Sequence, residues 1–141
     1  MITPKYFELS EFLKSETALT LGIENIPSWE DVERLKSFAV NTLDIIRLRW
    51  GEPLLVSSGY RVPQLNVAVG GSPTSDHMNG LAVDLKLPFP SSKKLVELYT
   101  LIVYLTEQGI INIDQVIFYR RRGIIHIGVG ERLRKQFIVK P

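Results

Sequence analysis

Apolar residues at Val32, Leu35, Ala39, Leu43, Ile46 and Trp50 recur every three or four positions. They follow Pro27-Ser28-Trp29-Glu30-Asp31, which supplies a capping serine and early acids. This pattern predicts one long amphipathic helix that stops near Gly51. A second stripe, Leu95, Leu98, Ile102 and Leu105, begins after Ser91 and Ser92 and predicts a helix ending at Gly109. Between and after these helices the period changes from about 3.6 to 2. Leu54 to Ser57, Leu81 to Leu85, Val116 to Phe118 and Ile124 to Val129 read as strands, with Phe137 to Val139 as a last one. The turn Arg120-Arg121-Arg122-Gly123 joins two of them as a hairpin. Ser10 caps a short helix in an N-terminal arm that runs to Asn25. Pro63 to Val69 reads as a short turn or helix closed by Gly70-Gly71, and Pro88-Phe89-Pro90 as a break.

The same alternation sorts the polar residues. In the strand 81–85, Leu81, Val83 and Leu85 share one face, leaving Ala82 and Asp84 on the other. In 124–129, Ile125, Ile127 and Val129 share a face, and His126 leaves on the opposite side with Ile124 and Gly128. Two strands thus offer an Asp and a His to one cleft. The chain's other histidine, His77, stands seven residues before Asp84. Three ligands of N, O and N type, with a fourth position left for water, suit a catalytic zinc. The same residues also suit a plainer reading, in which two hydrogen-bonded histidines and an aspartate brace the turns.

Composition narrows the field. The 141 residues, 45% apolar and 23% charged, fit one globular domain spanning 1–141, with no segment long and apolar enough for a membrane span. A formal charge of +2 and a pI near 8.9 do not by themselves argue for nucleic acid. Cysteine is absent, so any zinc is held by histidine and carboxylate, and thiol nucleophiles and disulfides are excluded. The opening residues lack the basic stretch and apolar core of a secretory signal. The expectation is a chain made in the cytoplasm that reaches a target beyond the membrane only if delivered.

Taken together, SGYR (58–61), LN (65–66), VGG (69–71), SDHMNGLAVDL (75–85), DQVI (114–117) and IIHIGV (124–129) resemble the zinc D-alanyl-D-alanine carboxypeptidases and their phage endolysin relatives. The likeness covers nearly the whole chain, and the arm around Phe7 to Phe12 and Gly22 to Asn25 is similar to the phage-type branch. The resemblance implies an α+β fold with a small antiparallel sheet flanked by helices, shared with lysostaphin-type peptidases and the hedgehog signalling domain. It implies Zn²⁺ held by His77, Asp84 and His126. It implies hydrolysis of D-amino-acid-containing peptidoglycan peptides, either trimming a terminal D-alanine or opening a cross-link, and the chain is expected to be a monomer. Arg61 matches an arginine that holds substrate oxygens, and is expected to serve the substrate more than folding. Ser75 either touches substrate or caps the turn before His77.

The pattern departs from the family at one point. A general-base acid is expected three residues before the last histidine or at the end of the preceding strand, and Gly123 and Tyr119 stand there. A phenol ionises only near pH ~10, so Tyr119 suits polarising water or donating to an oxyanion better than accepting a proton. Asp114 is the acid expected nearest. The missing acid keeps an alternative open: a catalytically silent, zinc-bound cell-wall binding or structural module. The three arginines of the hairpin are expected to be solvated, and a nucleic-acid partner is set aside because no aromatic stacking platform accompanies them.

Overall fold

A computed structural model describes residues 3–141 and places five strands in one sheet. In chain order the elements are α1 (Leu9–Leu13), α2 (Glu16–Leu21), α3 (Trp29–Phe38), a π-helical turn (Ala39–Leu43), α4 (Asp44–Trp50), β1 (Leu55–Ser58) and α5 (Pro63–Ala68). There follow a 3₁₀ turn (Asp76–Asn79), β2 (Ala82–Lys86), α6 (Ser92–Glu107), β3 (Gln115–Tyr119), β4 (Ile124–Gly128) and β5 (Gln136–Lys140). The fold is α+β, as expected. The strand order is β1-β2-β4-β3-β5, and every pair is antiparallel except the last, β3 with β5, which is parallel. The return from β4 to β5 passes through Leu133 and Lys135, both at positive φ, and carries the chain past β3, so β5 runs opposite to β4 yet pairs with the outer edge of β3.

The predicted long helix forms, but not as a uniform α-helix. Ser28 caps it by accepting from the Asp31 amide, while the Asp31 carboxylate accepts from the Ser28 amide. Leu35, Ala39 and Leu43 are spaced by four, so on a 3.6-residue helix they drift gradually around the surface. The π-helical turn at Ala39–Leu43 takes up this drift, and all three lie in the core. Gly51, with φ of 81°, closes α4. Together with α6, whose Leu98, Ile102 and Leu105 are fully buried, these helices cover one face of the sheet. That face is built from Val83 and Leu85 and from Ile125 and Ile127, alternate positions that the pattern placed on one face of each strand, together with Val116 and Phe118. Among the described residues no helix is long and apolar enough to cross a membrane.

The opposite face carries the chemistry. Register sets a row of residues across four strands: Ser58 opposite Asp84, Asp84 opposite His126, and His126 opposite Ile117. Directly opposed residues project to the same side of a sheet, so this row brings Asp84 and His126 together without any loop. The register of β1 slips between Val56 and Ser58, a bulge that turns the chain toward Tyr60 and Arg61 at the edge of the site.

Candidate metal centre

The loop from Gly59 to Gly80 reaches the sheet through contacts that leave little freedom. The Tyr60 amide donates to the Phe12 carbonyl at 2.7 Å, so the end of α1 lies directly against Gly59, where any side chain would collide with Phe12. The Asn25 side chain ties the arm to this strand. It donates to the Leu13 and Tyr60 carbonyls and accepts from the Val62 amide. Beyond α5, Ser75 caps the 3₁₀ turn by accepting from the His77 amide at 3.2 Å. Gly80 ends that turn at φ 70°, and a Cβ there would meet the Asp31 carbonyl of α3 at 2.7 Å, so both conformation and space call for glycine. Arg34 of α3 also donates to the Asn79 carbonyl. Through these bonds the long helix and the N-terminal arm fix the loop that carries His77.

His77 is buried, and its Nδ1 lies 2.7 Å from the Gly59 carbonyl oxygen. A carbonyl only accepts, so Nδ1 carries a proton and donates, which turns Nε2 toward the cleft. There Nε2 stands 3.4 Å from Asp84 Oδ1, and His126 Nδ1 stands 2.9 Å from the same oxygen. The ligand atoms of His77, Asp84 and His126 all lie within 4.8 Å of one another. Ligands about 2.0–2.1 Å from a tetrahedral ion sit roughly 3.3 Å apart, close to the two separations observed. Burial alone would push the Asp84 carboxyl up, but hydrogen bonds and charge from His126 and His77 hold it well below the usual carboxylate range. An ionised oxygen between two imidazoles becomes a donor set suited to zinc when the metal replaces the protons on the facing ring nitrogens.

Around this cluster opens a cleft of about 460 Å³, lined among others by Arg61, Ser75, Asp76 and Tyr119. Arg61 is held from several sides. Its Nε donates to Ser58 Oγ at 3.1 Å and its Nη1 to Asn66 Oδ1 at 3.2 Å, Nη2 lies 3.7 Å from Asp84 Oδ2, and its amide donates to the His77 carbonyl. The side chain therefore braces the site as well as facing it, a structural duty beyond the one the sequence suggested. Burial pulls the guanidinium pKa down, Asp84 opposes this, and repulsion from nearby Arg122 adds to it. Ser75 lines the cleft while its hydroxyl also serves as the cap, so the two readings offered for it coexist.

The two residues considered for the missing base are placed differently. Tyr119 shares the cleft face of β3 with Gln115 and Ile117, and the Arg122 guanidinium lies 4.9 Å from its ring centre. Asp114 is almost wholly buried and does not line the cleft. Arg134 grips it through Nε at 2.9 Å, Nη2 at 3.0 Å and its amide at 3.0 Å, and these bonds hold the carboxyl below its usual range.

Sequence reasoning passed over Asp76. It precedes His77 directly, and its carboxylate approaches Gly130 so closely that a Cβ there would lie 2.8 Å from Oδ2. Gly128 sits between this carboxylate and the His126 imidazole. Burial, then the Asp114 charge, push the Asp76 carboxyl up. The signal available was only its place next to His77, and a polar residue beside a candidate ligand reads equally well as loop surface. The hairpin arginines also divide. Arg122 lines the cleft, whereas Arg120 and Arg121 face the far side near Leu95 and Phe118.

No curated protein matches the chain. The family model described as Peptidase M15 does, over residues 5–128, a span that runs from the N-terminal arm through the strand bearing His126. With the match covering most of the length and all three zinc-type donors, the chain belongs to the Peptidase M15 family of metallopeptidases.

Proposed function

We propose that the protein is a zinc peptidase acting on D-amino-acid-containing peptides of peptidoglycan. The observation that carries this reading is the buried N, O, N cluster of His77, Asp84 and His126 at the floor of a polar cleft. When bound there, zinc supplies Lewis acidity toward a peptide carbonyl and a water made nucleophilic at neutral pH. The chain's own residues supply the rest. The Gly59 carbonyl fixes the His77 tautomer, and Asp84 is kept ionised by the histidines on either side of it. Arg61 presents its remaining guanidinium N–H groups to substrate oxygen atoms, a task suited to a planar fork already held in place. Tyr119, on the same face, donates its hydroxyl hydrogen to the oxygen on which negative charge develops.

Asp114 has no part in this scheme, because Arg134 occupies its carboxylate. The proton that an acid at the Tyr119 position would move is then handled less well than in relatives that have one. Assistance of that kind is typically worth about 10² to 10⁴-fold, so turnover is expected to be slow. The test is digestion of purified peptidoglycan with zinc-loaded protein, followed by mass spectrometry for released D-alanine or opened cross-links. Either product supports the proposal. No product at high protein concentration would leave the silent cell-wall module as the better account.

A further inference from the structure

The cleft does not end at the metal cluster. A second lobe of about 510 Å³ adjoins it, and the two share Arg61, Val69, Asp84 and Arg122 in their walls. Lys14, Lys86 and Arg122 line this second lobe, and each arrives from a different segment. Lys86 is two residues beyond Asp84 on the same face of β2, Lys14 follows α1 in the N-terminal arm, and Arg122 comes from the β3–β4 hairpin. Among the described residues none of the three has a carboxylate within ion-pairing distance. Two acids line the lobe. Asp84 is engaged by both histidines, and Glu16 is exposed in the first turn of α2. Fold positions that bring four cations, Arg61 included, to one concave wall leave positive potential there that an anion would relieve.

We infer that this second lobe, walled by Lys14, Lys86 and Arg122, is an anion subsite that reads a carboxylate carried by the substrate peptide on the side away from the metal cluster. The occupant is a peptide rather than a separate phosphate polymer because the lobe adjoins the metal cleft across four shared residues, within reach of one extended ligand. In an extended peptide a carboxylate two or three residues from the scissile bond lies about 7–10 Å away, comparable to the roughly 10 Å width of a lobe this size. The inference rests on the peptidase reading for the direction of the peptide, and it makes acidity of the peptide, rather than its terminal residue alone, a determinant of specificity.

The test uses two synthetic pentapeptides ending in D-Ala-D-Ala, one with a free carboxylate at its second residue and one with that group amidated. Calorimetry on metal-stripped protein measures their affinity without turnover. The wild type is expected to prefer the acidic peptide by about three- to tenfold, the sum of a few exposed charge contacts, and to lose the preference as salt is raised. Lys14→Ala combined with Lys86→Ala is expected to abolish the preference and leave affinity for the amidated peptide unchanged. Both lysines are exposed and unpaired, so the variant should fold. Equal affinity of the wild type for the two peptides, a preference that survives the double substitution, or no binding of either peptide would overturn the inference. Failure of the peptidase reading would show separately, as zinc-loaded wild type that binds the acidic peptide selectively yet releases no product from peptidoglycan.

Discussion

Arg61 does two things, and substitution can separate them. Its bonds to Ser58 and Asn66 and its approach to Asp84 mean that Arg61→Ala removes a brace and leaves polar partners unmatched, at a cost of about 1–3 kcal/mol. Arg61→Ala is therefore expected to lower the melting temperature as well as the affinity for peptide. Arg61→Lys keeps the charge but loses the fork, and is expected to recover part of the stability and little of the affinity. Equal recovery of both would reduce Arg61 to a point charge. Asp114 offers the converse case. Its carboxyl is held below the ordinary range by Arg134, so its contribution to stability is present above the unfolded carboxylate pKa of about 4 and is lost as pH falls through the lower folded value. Asp114→Asn should melt below wild type at pH 7, with the gap closing as pH falls below about 4, while turnover per zinc-loaded molecule stays within a few-fold. A collapse of turnover with zinc still bound would give Asp114 a chemical role that its placement does not suggest. Tyr119→Phe should lower kcat with zinc retained, since it deletes only the hydroxyl. Unchanged kcat would remove Tyr119 from the chemistry.

The strands explain why much of the site is legible in the sequence. A period of two is rigid: once Val83 and Leu85 are in the core, Asp84 cannot be, and the same holds for His126 between Ile125 and Ile127. Register then only has to place 84 opposite 126, which it does. Loops carry no such rule. Asp76 and the tie made by Asn25 depend on how the turn and arm fold back, and the alternation that exposed Asp84 says nothing about either. The long helix shows a third case. Its stripe is plain in the sequence, but nothing in that stripe marks the switch to a π-helical turn at Ala39–Leu43. The direction of β5 is hidden because a strand's pattern reads the same in parallel and antiparallel pairing. The core that these elements share is itself testable. Leu98 of α6 is fully buried, so Leu98→Ala should cost about 2–5 kcal/mol by urea unfolding. The variant should still bind zinc while folded, because the cluster hangs on the other face of the sheet. A cost under about 1 kcal/mol would mean that α6 packs loosely against the sheet.

At the scale of the whole molecule, the helices and the arm act as a scaffold that presses one loop onto one sheet face. Asp31 and Arg34 of α3 meet the loop at Gly80 and Asn79, Phe12 meets it at Gly59, and the sheet supplies Asp84 and His126. The three proposed ligand atoms come together only when these parts are assembled, so metal binding should favour the folded chain and raise its stability by mass action. The ligands bind deprotonated, so zinc affinity should also fall as the solution is acidified. Counting zinc in purified protein that has been stripped, reloaded and dialysed tests the central claim most directly, with His126→Ala measured beside the wild type and circular dichroism showing that the variant is folded. One zinc per wild-type chain and a large loss in folded His126→Ala is the predicted result. No zinc in the wild type, or one zinc per chain in His126→Ala, would contradict it.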